Sequence, residues 1–590
     1  MSKPLSFPSL PALFLANTER EHFQGWYQRK NNEWIHFSRE SLKKNLFQLS
    51  LAFQNRGLCK RSSIGIVAPT SPQWLLADVA AQVCSTAVVP LFPDISPQNF
   101  AHQCDDAQVD FLIADRLDAL NESLRVQLKR FKLIICIHPE QELPENGIFW
   151  DTLLQEGARL SEEPGAYRAF EKKVESIRPE DIFSIIYTSG STGTPKGAAL
   201  SHRNMISQLE SILKRLPVTK EDSSLTMLPV AHVFERMALY YYIMTGMKVY
   251  FADDAKNAAV LLKETHPSVM TTVPRVLEKL YEGMTAAADK AWGPQKWLIQ
   301  KSIKTAQTLD PKKPSILRKI FEKLVYPKMR AAIGDNFKYI ISGSSAINKN
   351  VLQFLLNIGL PVYEGYGLTE CTPVISVNNH EHWKLGSVGK VLEHLSVKID
   401  PKNSDILVKG DSVFSGYLHL PELNQESFTA DGYFKTGDEG YLDEDGFLFL
   451  TGRLKEILKT STGKYISPLP IELKLTHHPL IEAALIIANE RKFVSALLFL
   501  NYEGARRLLN RNVSDFDIRF AAENSKRIKE SIQKHIEQVN KELNHWEQIK
   551  KWILIPDNLT TESGLLTPTL KLRRTATEKK YIAEIEALYK

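Results

Sequence analysis

The run Ile182-Phe-Ser-Ile-Ile-Tyr187, continued by Thr188-Ser-Gly-Ser-Thr-Gly-Thr-Pro-Lys-Gly197, decides how this chain folds. Its first part is short, apolar and β-branched, the composition of a buried strand. The second part packs glycines and hydroxyl residues around one lysine. Glycine lets backbone approach a ligand closely, and clustered N–H and O–H donors suit phosphate oxygens. Thr188, Ser189, Gly190, Ser191, Thr192, Gly193 and Lys196 are therefore candidate phosphate-binding residues, with a hydroxyl-rich surface loop as the bland alternative. A Walker A loop is excluded by spacing, because Pro195 precedes the lysine and Gly197 follows it.

Outward from this strand, the chain reads as alternating elements. Residues 38–57 carry helical periodicity, with Ser38 or Ser41 as cap and Gly57 as terminator. Strands follow at 63–68, 87–92, 109–114 and 133–137, with helices at 72–86 and 96–107. Such alternation predicts an α/β fold with parallel strands and crossover helices. At 590 residues the chain exceeds one core, so at least two domains are expected. A net charge of +6 is small for this length and gives no reason to expect nucleic acid. Five cysteines, scattered and without C-x-x-C spacing, point to a reducing compartment rather than a disulfide framework. The window from Trp74 to Phe92 contains Asp78, Gln82 and Ser85, and reads as buried helix and strand rather than a membrane span. No signal peptide is expected, since prolines at 4, 8 and 11 interrupt the first residues.

Several further stretches carry candidate chemistry. Leu228-Pro-Val-Ala-His-Val-Phe-Glu-Arg236 sets His232 among apolar residues, and Met237, Tyr240, Tyr241, Tyr242 and Met244 follow as either a core face or the wall of an apolar tunnel. Tyr339-Ile-Ile-Ser-Gly-Ser-Ser-Ala346 is a strand entering a glycine turn, with Gly343, Ser344 and Ser345 where nucleotides meet sheet ends. Val362-Tyr-Glu-Gly-Tyr-Gly-Leu-Thr-Glu370 combines an aromatic face, a hydroxyl and a carboxylate. There Tyr366 suits stacking on adenine, Thr369 donation to phosphate, and Glu370 a hard cation such as Mg²⁺. Glu364, Gly365 and Gly367 complete that candidate nucleotide wall. Asp438, in Asp431-Gly-Tyr-Phe-Lys-Thr-Gly-Asp438, suits ribose hydroxyls, and Arg453 suits the sugar or a phosphate.

Taken in order, these strings resemble the AMP-forming adenylating enzymes, and most closely the long-chain fatty acyl-CoA synthetases. The resemblance runs from about residue 40 to 574 and rests on the 187–197 string, Tyr366-Gly-Leu-Thr-Glu370, Thr436-Gly-Asp438, Gly452-Arg453 and Leu566-Thr-Pro-Thr-Leu-Lys571. The long-chain signature is departed from at Tyr433, Lys435, Leu442 and Gly452. What the resemblance implies is a large domain of mixed, mainly parallel sheets over residues 1–452. A small mobile α+β domain over 453–590 would follow a hinge near Lys455. It implies ATP and Mg²⁺ as cofactors and coenzyme A as co-substrate of an ATP-dependent long-chain fatty acid–CoA ligase. Lys571 would serve adenylation, Glu370 would hold the metal, Thr369 would contact phosphate, and His232 would line the carboxylate pocket. Residues 460–468 would form the glycine loop that swings toward the thioester site. Delivery to an acyl carrier protein is the alternative, and a catalytically idle lipid-binding or scaffold protein a more distant one. Aryl-acid and amino-acid adenylation are less expected, the latter because in its usual setting it brings an appended carrier domain.

One segment stands apart. Between 290 and 330, lysine or arginine takes eleven positions against Asp310 and Glu322, interleaved with Trp292, Trp297, Ile316, Leu317, Ile320 and Leu324. It reads either as two helices with solvated charged faces or as a basic amphipathic patch for an anionic membrane or acidic partner. The expected location is the cytoplasm, with any membrane contact peripheral and on the inner face.

Overall fold

A computed structural model describes the chain apart from residues 1–5, 61, 94, 121, 140, 190–193, 255–256, 290, 455–457, 463, 510–513, 560–562 and 567–571. Two compact units divide it. The first comprises Met1–Ser344, Gln353–Lys398 and Leu407–Lys435; the second comprises Ser345–Leu352, Ile399–Ile406 and Thr436–Lys590.

In the first unit, strand Ile182–Ser189 belongs to a seven-stranded sheet. Its spatial order is Gly147–Phe149, Leu133–Cys136, Val109–Ala114, Ser63–Val67, Ala87–Pro90, Ile182–Ser189 and Pro195–Ser201. All pairs are parallel except the last, where Ile182–Ser189 and Pro195–Ser201 form an antiparallel hairpin. The crossover helices start where serine and proline meet. Ser71 and Ser96 each accept an N–H from three residues ahead, with Pro72 and Pro97 at the first helical position. Ser38, not Ser41, caps Arg39–Asn55: its hydroxyl accepts the Ser41 N–H at 3.2 Å.

A second sheet of nine strands runs Lys390–Val391, Val374–Val377, Val362–Gly367, Tyr339–Ser342, Val269–Thr272, Ser223–Thr226, Lys248–Phe251, Trp26–Lys30 and Glu33–Phe37. Its middle is parallel and its two ends antiparallel, so the sheets are mixed and mainly parallel.

Helix Val233–Thr245 reaches both sheets through two consecutive, fully buried charges. Glu235 turns toward the nine-stranded sheet, accepting the hydroxyls of Thr226 and, at 2.6 Å, Thr271. Arg236 turns the other way. It donates to Ser184 Oγ of the seven-stranded sheet at 2.6 Å and, through Nε at 2.9 Å and Nη2, to Asp78 on helix Pro72–Val83. Tyr240 and Gln82 also donate to Asp78, at 2.7 and 2.8 Å, and the guanidinium lies between the rings of Phe183 and Trp74. An unpaired charge in such a place would be costly, and every donor directed at Asp78 reduces that cost. Tyr241 is likewise tied to the Leu216 carbonyl. The aromatic run that follows Arg236 is therefore core.

Segment 290–330 differs from the two-helix expectation. It forms Gly293–Thr308, Ile316–Leu324 and Tyr326–Arg330, because Pro327 at a first-turn position starts a third piece.

The second unit is α+β. Strand Val494–Leu500 pairs antiparallel with Ile481–Ile487 and parallel with Ile549–Ile555, and it is buried on both faces. Ile528, Ile532 and Ile536 of helix Lys526–Lys541 belong to the core on one face, and Tyr581, Ile585 and Leu588 near the C-terminus to that on the other.

Two measurements test the buried pair. Arg236→Ala leaves Asp78 uncompensated and should cost about 3–5 kcal/mol in urea unfolding, while Asp78→Leu/Arg236→Met restores part of it. Burial raises the Glu235 carboxyl to about 7 despite its two hydroxyl donors. A raised carboxyl favours the protonated fold, so the stability of wild type relative to Glu235→Gln should fall as pH rises from about 4.5 to about 7. That difference should change by about 1.4 kcal/mol per unit in paired unfolding curves, and a pH-independent difference would remove Glu235 as the cause.

Candidate active site

The 182–201 hairpin sets the base of the glycine-rich loop. Thr188 pairs with Lys196 and Ser189 with Pro195, so both strands end together at the loop mouth. Gly190, Ser191, Thr192 and Gly193 lie outside the described residues. Lys196 Nζ lies over the ring of Tyr417, 5.7 Å from its centre.

Tyr417 is a residue that sequence reasoning missed. Its hydroxyl donates to Glu370 Oε1 at 2.8 Å. Burial, and then the Glu370 carboxylate, push the phenol's ionisation up, so it remains a donor at neutral pH. The backbone holds it there. Ala198 and Tyr417 form an antiparallel bridge, Leu418 N–H donates to the Gly197 carbonyl at 2.8 Å, and Asn424 closes both sides of Tyr417's peptide. Phe414 N–H donates to the Glu370 carbonyl at 2.8 Å, which brings Glu370 against the same segment. Lys196 and Glu370, 174 positions apart in sequence, are thus joined through one phenol.

Glu370 is half-buried in a short 3₁₀ turn, Thr369–Cys371, directly after strand Val362–Gly367. Gly367 is obligatory: a Cβ there would sit 1.8 Å from the Pro373 carbonyl oxygen. That contact folds the strand end back so that Thr369 and Glu370 emerge beside it. Within the strand, Glu364 and Tyr366 are buried and Gly365 is half-buried. Glu364 pairs with Ser342 of the neighbouring strand, whose next residue is Gly343. Ser344 adopts a left-handed φ of 71°, the turn expected after Tyr339–Ser342.

His232 is the residue preceding helix Val233–Thr245, half-buried, with its ring edge-on to Phe92 at 5.3 Å. Phe234 packs against Gly343, where an added Cβ would meet the ring at 3.1 Å. The start of the helix and the 343–344 turn are therefore neighbours. The first unit gathers Lys196, Glu370 and Tyr417 in one contact chain, and the His232 segment with Gly343 in another.

The remaining candidates belong to the second unit. Asp438 is buried, pairs across the hairpin with Arg453, and receives its Nε at 2.8 Å. Gly437, in a left-handed turn with φ 72°, donates to Asp405 Oδ1 at 2.9 Å, and burial raises the Asp405 carboxyl. Ser345 also falls in this unit. Lys455 and Lys571 lie outside the described residues.

Residues 16–418 match the AMP-binding enzyme family, and residues 455–590 match the AMP-binding enzyme C-terminal domain. The chain belongs to the AMP-binding enzyme family. Its reaction class is that of an AMP-forming acid–thiol ligase. It is 30% identical over 576 residues to the long-chain-fatty-acid–CoA ligase FadD15 of Mycobacterium bovis, covering 95% of this chain and 94% of that one. Against long-chain-fatty-acid–CoA ligase 5 of Rattus norvegicus it is 28% identical, covering 95% and 85%. Among solved structures, the adenylation domain of a carboxylate reductase from Mycobacterium chelonae matches with TM-score 0.74 and 21% identity, covering 98% of this chain and 91% of that one. The o-succinylbenzoate coenzyme A synthetase of Bacillus subtilis, solved with ATP and magnesium ion, matches with TM-score 0.66 and 19% identity, covering 95% and 98%. Both show the same fold.

The phenol between Lys196 and Glu370 yields a specific expectation. Tyr417→Phe keeps the ring over Lys196 and removes only the donor to Glu370. It should lower kcat/KM for ATP-dependent turnover about tenfold, the scale of one lost charge-assisted hydrogen bond, with only a small fall in melting temperature. Steady-state kinetics alongside calorimetry measures both.

Proposed function

We propose that this enzyme is an ATP-dependent long-chain fatty acid–CoA ligase. The observation that carries the proposal is the Lys196–Tyr417–Glu370 arrangement at the loop mouth, in a chain whose relatives act as long-chain-fatty-acid–CoA ligases. In the first half-reaction a fatty carboxylate oxygen attacks the α-phosphorus of ATP, and the α–β bridging oxygen leaves with pyrophosphate. In the second, the thiol of coenzyme A attacks the acyl carbon and AMP leaves. A carboxylate is a weak nucleophile approaching an anionic phosphate, so positioning and charge neutralisation carry most of the rate.

The residue roles follow that requirement. Thr188, Ser189, Gly190, Ser191, Thr192, Gly193 and Lys196 cradle the phosphates, with Thr369 beside them. Gly343, Ser344, Ser345, Glu364, Gly365, Tyr366 and Gly367 form the nucleotide wall; Asp438 and Arg453 take the sugar. Glu370 offers one carboxylate whose Oε1 is fixed by the Tyr417 hydroxyl. That donor set fits Mg²⁺, which binds through few carboxylates and otherwise through phosphate oxygens and water. When bound, the ion neutralises phosphate charge. His232 lines the carboxylate pocket, and Lys571 stabilises charge on the carboxylate and α-phosphate after movement about a hinge near Lys455.

The enzyme works in the cytoplasm, with the basic segment 290–330 resting on an anionic membrane surface. The same basic segment also suits an acidic acyl carrier protein as thiol donor, which is the second reading of the acceptor.

Three measurements separate these proposals. Pyrophosphate release across carboxylic acids of increasing length, with coenzyme A or carrier protein as acceptor, should be greatest for long chains with coenzyme A. Glu370→Gln should cripple acyl-AMP formation without lowering the melting temperature, and a normal Mg²⁺ response in an active variant removes Glu370 from the metal site. Lys571→Ala should lose adenylation by about 10²–10³ yet still convert supplied acyl-AMP and coenzyme A to thioester. Equal slowing of both half-reactions would make the lysine structural or common to both.

A further inference from the structure

Helix Ile316–Leu324 is oriented the wrong way round for a soluble protein. A surface helix normally buries its apolar stripe and shows its charges to water. Here Ile316 is 78% exposed, Leu317 43%, Ile320 44% and Leu324 54%. At about 100° per residue these four side chains occupy one arc of roughly 100°. Two of its charged residues instead hold it to the protein. Arg318 donates to the Pro311 carbonyl at 2.7 Å and to Asn357 Oδ1 at 3.4 Å. Glu322 accepts both terminal nitrogens of Arg330, at 3.0 and 2.5 Å. Phe321 alone among its large apolar residues is fully turned inward, against Tyr326. Arg318 and Glu322 are thus turned to the protein, and the apolar arc is left outward with Lys319 and Lys323 exposed at its edge.

The surroundings indicate what covers that face. Lys319 and Lys323 border the apolar arc on one flank, both exposed, and exposed Lys312 and Lys313 precede the helix. On the adjoining helix Gly293–Thr308, Trp297 is 60% exposed with Lys301 Nζ over its ring at 4.6 Å, and Trp292 before it is 88% exposed. Apolar side chains edged by lysine, with tryptophans nearby, match the interface of a bilayer carrying anionic headgroups. A solvated charged face would need neither the outward isoleucines nor the exposed tryptophans.

We propose that Ile316, Leu317, Ile320 and Leu324 insert into the outer part of an anionic lipid leaflet, with Lys319 and Lys323 on the headgroups. This rests on the reading that segment 290–330 meets a membrane and adds that burial of apolar side chains, not charge alone, retains the enzyme there. Charge attraction between exposed groups is screened within about 10 Å at 0.1 M salt, whereas apolar insertion is not.

The test uses the full-length enzyme and sedimentation with vesicles of phosphatidylcholine alone or containing about 30% phosphatidylglycerol, in about 0.1 and 0.5 M NaCl. Wild type should bind the anionic vesicles and retain measurable binding at the higher salt. Ile316→Ser/Ile320→Ser/Leu324→Ser should bind about tenfold more weakly at both salts with every lysine intact. Lys313→Gln/Lys319→Gln/Lys323→Gln should lose the preference for anionic lipid. Unchanged turnover of a water-soluble short acid without vesicles shows that each variant is folded. If the serine variant binds like wild type while the glutamine variant does not, insertion is overturned and the electrostatic contact stands. If wild type binds neither vesicle, both fall. A lipid-free dimer that the serine variant converts to monomer would assign the face to a second copy instead and overturn the proposal.

Discussion

Two adjacent residues with opposite charges and opposite directions hold the first unit together. Glu235 and Arg236 are neighbours on one helix, yet the first is bound by hydroxyls of the nine-stranded sheet and the second by Ser184 of the seven-stranded sheet and Asp78. Neither side chain has access to water, so neither polar group tolerates misplacement. Each sheet's position is therefore tied to the same turn of helix. That turn also carries His232 and Phe234, the latter packed on Gly343. A buried ion pair such as Arg236–Asp78 is a weak source of stability compared with apolar packing, but losing one partner is severe. Its use here is consistent with a demand for defined placement at the head of the helix.

The Lys196–Tyr417–Glu370 chain extends the same logic outward. A hairpin, a 3₁₀ turn and a loop segment supply one residue each, and the contacts that align them are backbone hydrogen bonds from 197–199 and 370 to 414–418. Main-chain pairing fixes the backbone from which Lys196, Tyr417 and Glu370 project. That suits a reaction in which fixed dipoles and charges, rather than a strong acid or base, lower the barrier.

Helix Ile316–Leu324 obeys an opposite rule from the core. Arg318 and Glu322 are bound toward the protein, to the Pro311 carbonyl and to Arg330, which turns that side of the helix inward and leaves Lys319 and Lys323 at the edge of the outward arc. Apolar residues are then outward because the inward positions are taken. Sequence periodicity alone reports that a helix has two faces, not which one is buried.

The α/β class, the strand-helix alternation from Ser63 to Cys136 and the strand ahead of the glycine-rich loop were legible in the chain, because each depends on local periodicity and on caps such as Ser71-Pro72 and Ser96-Pro97. The family's motif strings around Thr188, Tyr366, Glu370 and Asp438 could be picked out too, since each is a run of neighbouring residues. Tyr417 was not. Nothing near it in sequence marks it; only the bridge to Ala198 brings it between Lys196 and Glu370. The role of Asp78 also depended on a partner 158 positions away, and the aromatic run after Arg236 became core only when its neighbours were in place. Short-range chemistry is written in neighbouring residues, whereas long-range pairing and the choice of which helix face is buried arise from packing, and these the tertiary structure decided.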